Sequence, residues 1–322
     1  MSSRTEDNRL LRGAGQFMEN IELDDAACVS FVRSTSARAK ILSIDTGPAL
    51  EQPGVIAVFT AADIDLDPFP SPIPANNQQM LRPWIADKAV RYVGEIIAIV
   101  VSDAVKEGID AAELVVVEYE DLDPIISTED AVADLVLVDE NTPTNISLEL
   151  TTGNDESLFD DCEVVVKQRI VNNRVAPCPI ESRGAISRWD GSSLQQWSTT
   201  QSAHAVRDGL CRVFELSPEN VRVVVPDVGG SFGAKRGLSP PEVLTAWVAR
   251  KIKGAARWHE NRTEAMLDLG HGRDQIQYAE LGGDQEGNLT AFRARVIQNS
   301  GAYPDVGSFL PRMLGVMGAG PY

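Results

Sequence analysis

The chain has 322 residues, 43% of them hydrophobic and 24% charged, a composition that excludes a disordered polymer and allows two domains with separate cores. Its 47 Asp plus Glu against 29 Lys plus Arg give a formal charge of -18, which excludes holding nucleic-acid phosphates as the main task while leaving room for a local basic pocket. No apolar run approaches the roughly 18 residues of a membrane span. The mixed-charge start MSSRTEDNRLLRG lacks the apolar centre of a signal peptide, so the cytoplasm is the expected compartment.

Taken in chain order, Phe31-Val32, Ala39 to Ile44 and Gly54 to Thr60 read as strands, and Ala61-Ala62-Asp63 as a turn or short helix. Between Asp65 and Arg82, Pro68, Pro70, Pro72 and Pro74 break both periodicities, so this stretch is expected to wrap a surface or reach a partner. Ile96 to Val101 is a continuous apolar strand. Ser102 then reads as the N-cap of a helix over Asp103 to Glu113, with Asp103 in the positive first turn and Val105, Ile109 and Ala112 near one face. The strand Leu114 to Tyr119 follows, and this order predicts a right-handed parallel crossover. Poor periodicity from about Leu135 to Asp161 divides the chain into a first domain, 1–135, a linker, 136–160, and a second domain, 161–322.

The second half opens with a strand from Glu163 to Val171. Ala185 to Trp189 and Leu194 to Ser198 form a hairpin around Asp190-Gly191. A helix from Ser202 to Phe214 carries Val206, Leu210 and Val213 on one face, and Val221 to Val225 is the next strand. Ser239, Pro240 and Glu242 form a capping box with proline at the first helical position, and the helix ends in Arg250, Lys251 and Lys253.

Between that strand and that helix lie Gly229, Gly230, Ser231, Phe232 and Gly233. Three glycines in five residues require either a tight turn or a ligand that approaches the backbone, and successive free N–H groups favour an anion. Both readings stand: a ligand loop, or an ordinary strand-to-helix turn. Lys235 and Arg236 add positive charge that favours the anion. The spacing fits neither the dinucleotide fingerprint GxGxxG nor a Walker loop, which leaves a nucleotide-phosphate enzyme the weakest alternative. Thr199, Thr200 and Gln201 follow a strand and precede a helix, where ligand groups gather in α/β folds, although Thr200 or Ser202 would equally serve as a cap. Gln201 offers an uncharged donor and acceptor.

Cys28, Cys162, Cys178 and Cys211 make no CxxC pair, and His204, His259 and His271 show no ligand spacing. No direct protein metal ligands are therefore assigned, and the thiols read as buried or incidental. The stretch Arg257 to Arg262 is either a solvated charged edge or one facing a partner.

Several segments together carry a family resemblance. They are Phe31-Val32-Arg33-Ser34, Pro53-Gly54-Val55, Arg91-Tyr92-Val93-Gly94-Glu95, Asp110-Ala111-Ala112-Glu113 and Val117-Glu118-Tyr119-Glu120. In the second half they are Thr200-Gln201, DVGGSFGAK from Asp227, PEVLTAWVARK, GHGRDQ from Gly270 and Asn299-Ser300-Gly301-Ala302-Tyr303. In order and spacing the chain resembles the molybdenum-binding large subunit of the xanthine dehydrogenase and aldehyde oxidase superfamily, particularly aerobic carbon monoxide dehydrogenase large-chain-like proteins.

The resemblance implies a mixed α/β chain: an amino-terminal α/β hammerhead domain, then the incomplete first part of a molybdopterin-binding domain. It implies a hydroxylase acting on carbon monoxide, an aldehyde or a heterocycle with oxygen from water. The cofactor would be molybdenum-molybdopterin, including its cytosine dinucleotide form, with the metal held by the pterin. Gln201, Gly229, Gly230, Ser231, Phe232 and Gly233 would bind it, Gln201 and Phe232 lying nearest the chemistry. Electrons would pass to an iron-sulfur small subunit and an FAD-binding medium subunit, in a dimer of heterotrimers when complete, with no nucleic acid as partner.

Departures from the family pattern accompany the likeness. A Pro-His-Ala-His-Ala run is here Thr35-Ser36-Ala37-Arg38-Ala39, and Ser231 stands at the third glycine of the usual GGGFG. Family subunits are more than twice as long, so the chain to Gly320-Pro321-Tyr322 is expected to lack the substrate loop and the late glutamate general base, and to be inactive alone. A separate carboxyl-terminal companion chain would complete it. The competing expectation is a non-catalytic remnant or assembly protein with an incomplete cofactor platform.

Overall fold

A computed structural model describes residues 4–68, 71, 73–153 and 155–313; Pro70, Pro72 and Gly320-Pro321-Tyr322 lie outside them. In chain order the elements are α1 (Asp7–Leu10), β1 (Ala26–Arg33), β2 (Ala39–Asp45), α2 (Gly47–Leu50), β3 (Val55–Thr60), β4 (Ala89–Val90), β5 (Ile96–Ser102), α3 (Val105–Ala112), β6 (Val116–Asp121) and α4 (Thr128–Val132). There follow β7 (Val164–Asn172), β8 (Gly184–Asp190), β9 (Ser193–Ser198), α5 (Ala203–Val213), β10 (Val221–Val224), α6 (Pro240–Lys251), β11 (Ala255–His259), α7 (Arg262–Asp268), β12 (Gln275–Gly283) and β13 (Leu289–Gln298). Two compact units contain them: Met1–Asp67, Trp84–Leu122 and Pro177–Gly270 form one, and Pro68–Pro83, Asp123–Ala176 and His271–Tyr322 the other.

The first unit is built on a seven-stranded sheet in the order β10-β9-β8-β11-β1-β5-β3. β1 occupies the decisive position. It runs parallel to β11, with Ala27 opposite Ala256, and antiparallel to β5, with Phe31 opposite Ile99. β5 is buried along its whole length, which its uninterrupted apolar sequence requires. Phe31 meets Trp258 edge to face at 5.7 Å across the β1–β11 pair.

The α3 region departs from the sequence expectation in three respects. Its N-cap is Ala104, in extended backbone, and the Ser102 hydroxyl instead donates to the Ala104 carbonyl at 2.8 Å within the turn. The buried face is Gly108 and Ala111, while Val105 and Ile109 are 52% and 46% exposed. The reason is contact distance: a Cβ on Gly108 would lie 2.6 Å from Ser102 Oγ and 2.7 Å from Ser30 Oγ, so the helix rests on β1 and β5 through its smallest residues. Finally, β5 and β6 do not form a parallel crossover. β6 pairs antiparallel with β2 in a separate sheet ordered β4-β2-β6, because its alternating pattern suits a half-exposed strand and not the fully buried place beside β5.

The hairpin reads as expected, with Asp190 opposite Ser193. β9, α5 and β10 do form a parallel crossover, Leu194 lying opposite Val221. α6 has the anticipated capping box: the Ser239 amide and hydroxyl donate to Glu242 Oε2 at 2.9 and 2.7 Å. Its residues from Pro241 to Ala249 are buried all round. Arg250 and Lys251 reach Asp65 at 2.8 and 3.1 Å.

In the second unit β12 pairs antiparallel with both β13 and β7. Arg169 and the Tyr278 hydroxyl both reach Glu129 in α4. The described part of the proline-rich stretch is tied within this unit, the Asn77 amide donating to the Ser147 carbonyl at 2.7 Å and Asn76 Nδ2 to Ser308 Oγ at 2.8 Å.

The buried face of α3 is testable by substitution. Gly108→Leu should destabilise the chain by about 3 kcal/mol or more through overpacking, whereas Ile109→Ala should cost about 1 kcal/mol or less, both read from urea unfolding midpoints.

Candidate functional site

β9 and β10 are parallel, so both carboxyl ends open on the same side of the sheet, the side on which α/β folds gather ligands. Thr199-Thr200-Gln201 continues from β9, and Pro226 to Gly233 from β10. The chain thereby brings together all six residues expected at a cofactor: Gln201, Gly229, Gly230, Ser231, Phe232 and Gly233. Gln201 is joined to Ser231 by a hydrogen bond from the hydroxyl to the amide carbonyl. The Gln201 backbone N–H donates to the Lys235 carbonyl at 2.8 Å, and the Thr200 hydroxyl donates to the same carbonyl at 3.1 Å. Thr200 Oγ1 also accepts the Ser202 N–H at 3.1 Å, so this hydroxyl joins the turn before α5 to the glycine loop, while Ser202, the N-cap of α5, makes no side-chain cap bond.

Beneath the loop lies an acid that carries no sequence motif. Glu181 Oε2 accepts the Gly229 N–H at 2.7 Å and the Lys235 ammonium at 3.1 Å, while the Glu181 N–H donates to the Gly229 carbonyl at 3.2 Å. A Cβ on Gly229 would lie 2.6 Å from the Glu181 Cβ, which explains the first glycine by close approach. Lys235 does not supply free positive charge to a ligand, as its position in the sequence suggests. Its side chain is 0% exposed and paired with Glu181. Burial pushes its pKa down, with Glu181 opposing that shift. Arg236, by contrast, is exposed.

Past Gly229 the loop opens. Gly230 and Phe232 have φ of 101° and 54°, and Phe232 is 75% exposed. Among the described residues the N–H groups of Gly230, Ser231, Phe232 and Gly233 donate to no other group, which leaves four successive donors at the mouth of the loop. At its entry Asp227 accepts from Arg9 and from the Gln16 N–H, the latter at 2.7 Å. The Arg9 hydrogen bond, then that of Gln16, holds the Asp227 carboxyl down at about 2.

The wall behind the loop is ionic and largely buried. Arg183, just before β8, donates to Glu260 and, at 2.9 Å, to Asp268 in α7. Asp268 also accepts the Tyr92 hydroxyl at 2.6 Å. Arg33, at the end of β1, reaches Glu264 at 2.9 Å and Asp268 at 3.5 Å. Burial opposes the charge of Arg183, but Asp268 and Glu260 prevail and keep its pKa raised. Within the stretch from Arg257 to Arg262, the part in β11 lies inside the sheet, with Trp258 and Glu260 buried, while Asn261 and Arg262 are exposed. Its His259 is pushed down to about 4 by burial and by Arg257, whose Nη2 lies 3.0 Å from the ring Nε2. His204 is exposed on α5 and His271 is exposed in the second unit. Of the four thiols expected to be buried or incidental, Cys28 is buried, Cys162 and Cys211 are half-buried and Cys178 is exposed.

These features place a glycine loop and an amide side chain together at the ends of two parallel strands of an α/β sheet. Comparison with known proteins gives the family. Residues 138–322 match the molybdopterin cofactor-binding domain, and residues 12–123 match the aldehyde oxidase and xanthine dehydrogenase a/b hammerhead domain. The chain therefore belongs to the xanthine dehydrogenase and aldehyde oxidase superfamily of molybdenum hydroxylases, with a hammerhead domain followed by part of a molybdopterin-binding domain. It is 32% identical over 309 residues to the nicotine 6-hydroxylase large subunit of Paenarthrobacter nicotinovorans, a match covering 93% of this chain and 38% of that protein. It is 30% identical over 319 residues to the carbon monoxide dehydrogenase large chain of Afipia carboxidovorans, covering 93% and 39% respectively. The crystal structure of quinoline 2-oxidoreductase from Pseudomonas putida 86 superposes with a TM-score of 0.89 at 32% identity, covering 94% of this chain and 39% of that one. The likeness is therefore not specific to carbon monoxide dehydrogenases. The chain spans about two fifths of the length of these relatives. Among the described residues no helix is long and apolar enough to cross a membrane.

Two measurements test the site's support. Glu181→Ala should cost about 3–5 kcal/mol in urea unfolding, because it strands a buried ammonium. For His259 the folded value of about 4 lies below the ordinary 6.5, so the unfolded chain protonates first. Stability should fall as pH drops from about 6.5 towards 4, and His259→Gln should flatten that part of the profile of unfolding midpoint against pH.

Proposed function

We propose that this chain supplies the hammerhead and one wall of the cofactor pocket in a molybdenum-dependent hydroxylase. The division into residues 1–135 and 161–322 marks these two parts. The observation that carries the reading is the convergence of Gln201 and the loop Gly229–Gly233 at the carboxyl ends of β9 and β10, joined through Ser231.

The residues present fit the group. Four loop N–H groups and the Gln201 amide offer hydrogen-bond donors to the oxygens of a pterin cofactor, and Gly230 and Gly233 keep side chains from the approach. When bound, the molybdopterin cofactor supplies a two-electron oxidation centre that uses oxygen from water. Gln201 orients it from the β9 side. Phe232, held outward by its left-handed backbone, narrows access and excludes water from one face. Lys235 and Glu181 act through the loop, fixing its backbone from below.

Similarity to the nicotine and quinoline enzymes favours a nitrogen heterocycle as substrate over carbon monoxide, with an aldehyde as the remaining choice. Electrons then pass to iron-sulfur and FAD subunits in the cytoplasm, the arrangement the family resemblance implies.

The test is to isolate the chain with its natural partner subunits and measure molybdenum and pterin per chain. Gly230→Val places a Cβ 3.1 Å from Phe232 Cε2 and 3.4 Å from the Pro179 Cβ, on backbone with φ of 101°. It should lower bound molybdenum and pterin about tenfold while leaving the circular dichroism of the chain unchanged. A native complex that is active without either component would overturn the cofactor reading, and a soluble, pterin-free monomer in the native host would establish the non-catalytic alternative.

A further inference from the structure

Gln201 can present either end of its amide to a ligand, and the two ends have opposite hydrogen-bond character. The surrounding bonds settle which end is presented. Ser231 Oγ lies 3.3 Å from the Lys235 backbone nitrogen and also bonds the Gln201 side chain. A backbone N–H can only donate, so the serine oxygen is the acceptor in the first bond and its own proton is left for the second. That proton needs an acceptor, and the Gln201 carbonyl Oε1 is the atom beside it. A reversed amide would make the serine oxygen accept from both Lys235 and Gln201 and would remove the one protein acceptor bonded to its proton.

The base of the side chain is fixed as well. The Gln201 N–H donates to the Lys235 carbonyl, whose second partner is the Thr200 hydroxyl. Lys235 is itself immobilised by Glu181. Backbone and amide of Gln201 are thus referred to the same short loop at two points, residues 231 and 235.

We propose that Ser231 is the positioning residue that orients the Gln201 amide, carbonyl inward and NH2 outward, so that the site offers a preorganised donor to a ligand oxygen that accepts hydrogen bonds. This inference rests on the cofactor reading for the identity of the ligand, but not for the orientation itself. It also gives a role to the one position in the loop where this chain departs from a run of three glycines. A glycine there would leave the amide free to turn until a ligand arrived, whereas the serine selects for an oxo or carbonyl oxygen and against a hydroxyl donor in advance.

The experiment uses the full chain, labelled with 15N at glutamine side chains, with the Gln201 NH2 pair assigned by its loss in Gln201→Glu. In the wild type that pair should show no nuclear Overhauser contact with the Lys235 amide proton. Ser231→Ala keeps the Cβ and removes the hydroxyl. It should shift the Gln201 NH2 resonances, bring in that contact, and reduce the preference for one orientation about fivefold. Ser231→Thr should restore the wild-type pattern. Unchanged Gln201 resonances in Ser231→Ala would overturn the proposal. So would a wild type whose NH2 group already contacts the Lys235 amide, a result that needs no variant to fold. Molybdenum and pterin content of the native complex is measured separately. Their absence from an active wild-type complex would overturn the cofactor reading and leave the orientation result intact.

Discussion

The pairing of β1 with both β11 and β5 is the constraint on which the first unit depends. One strand near the amino terminus is parallel to a strand more than two hundred residues later and antiparallel to one from its own half. Without it the sheet would divide, because β3 and β5 reach β8, β9 and β10 through β1 and β11. Three strands of the hammerhead, β1, β3 and β5, and the strands that carry the glycine loop are therefore a single hydrogen-bonded layer. The ion pairs of Arg33 with Glu264 and Asp268 stand at the end of that strand and link it to the wall behind the loop.

Charge is used inward at this site. In a chain with a formal charge of -18, two of the cations nearest the loop are already committed: Lys235 to Glu181, and Arg183 to Glu260 and Asp268. Breaking such pairs is costly, so they fix geometry more than they attract ligand. The polar groups left uncommitted there are neutral donors, the open N–H groups of the loop and the Gln201 amide. Such donors suit a ligand oriented through several oxygens.

The serine in the glycine run shows how a small departure changes the character of a site. Its backbone does not need φ above zero, unlike that of Gly230, so a Cβ is admitted there. The hydroxyl then joins a bond from Lys235 to one with Gln201. A loop that turns because of its glycines is made directional by its one hydroxyl.

Local signals determined a good deal by themselves. The capping box at Ser239, the Asp190-Gly191 hairpin, the buried run from Ile96 and the β9–α5–β10 order are written in neighbouring residues, because caps, tight turns and apolar runs are decided by interactions a few positions long. The glycine loop and Gln201 were legible as types of residue, and the motif order gave the family. Tertiary structure alone decided the rest. The buried face of α3 follows Gly108 and Ala111 because closeness to β1 and β5 outweighs side-chain hydrophobicity, and β6 left β5 for β2 because strand partners are chosen by burial on both faces. Glu181 carries no motif, and the fate of the Lys235 charge depended on it. A partner 54 positions away is invisible to any local pattern, since it is the sheet, and not the spacing along the chain, that brings the two together.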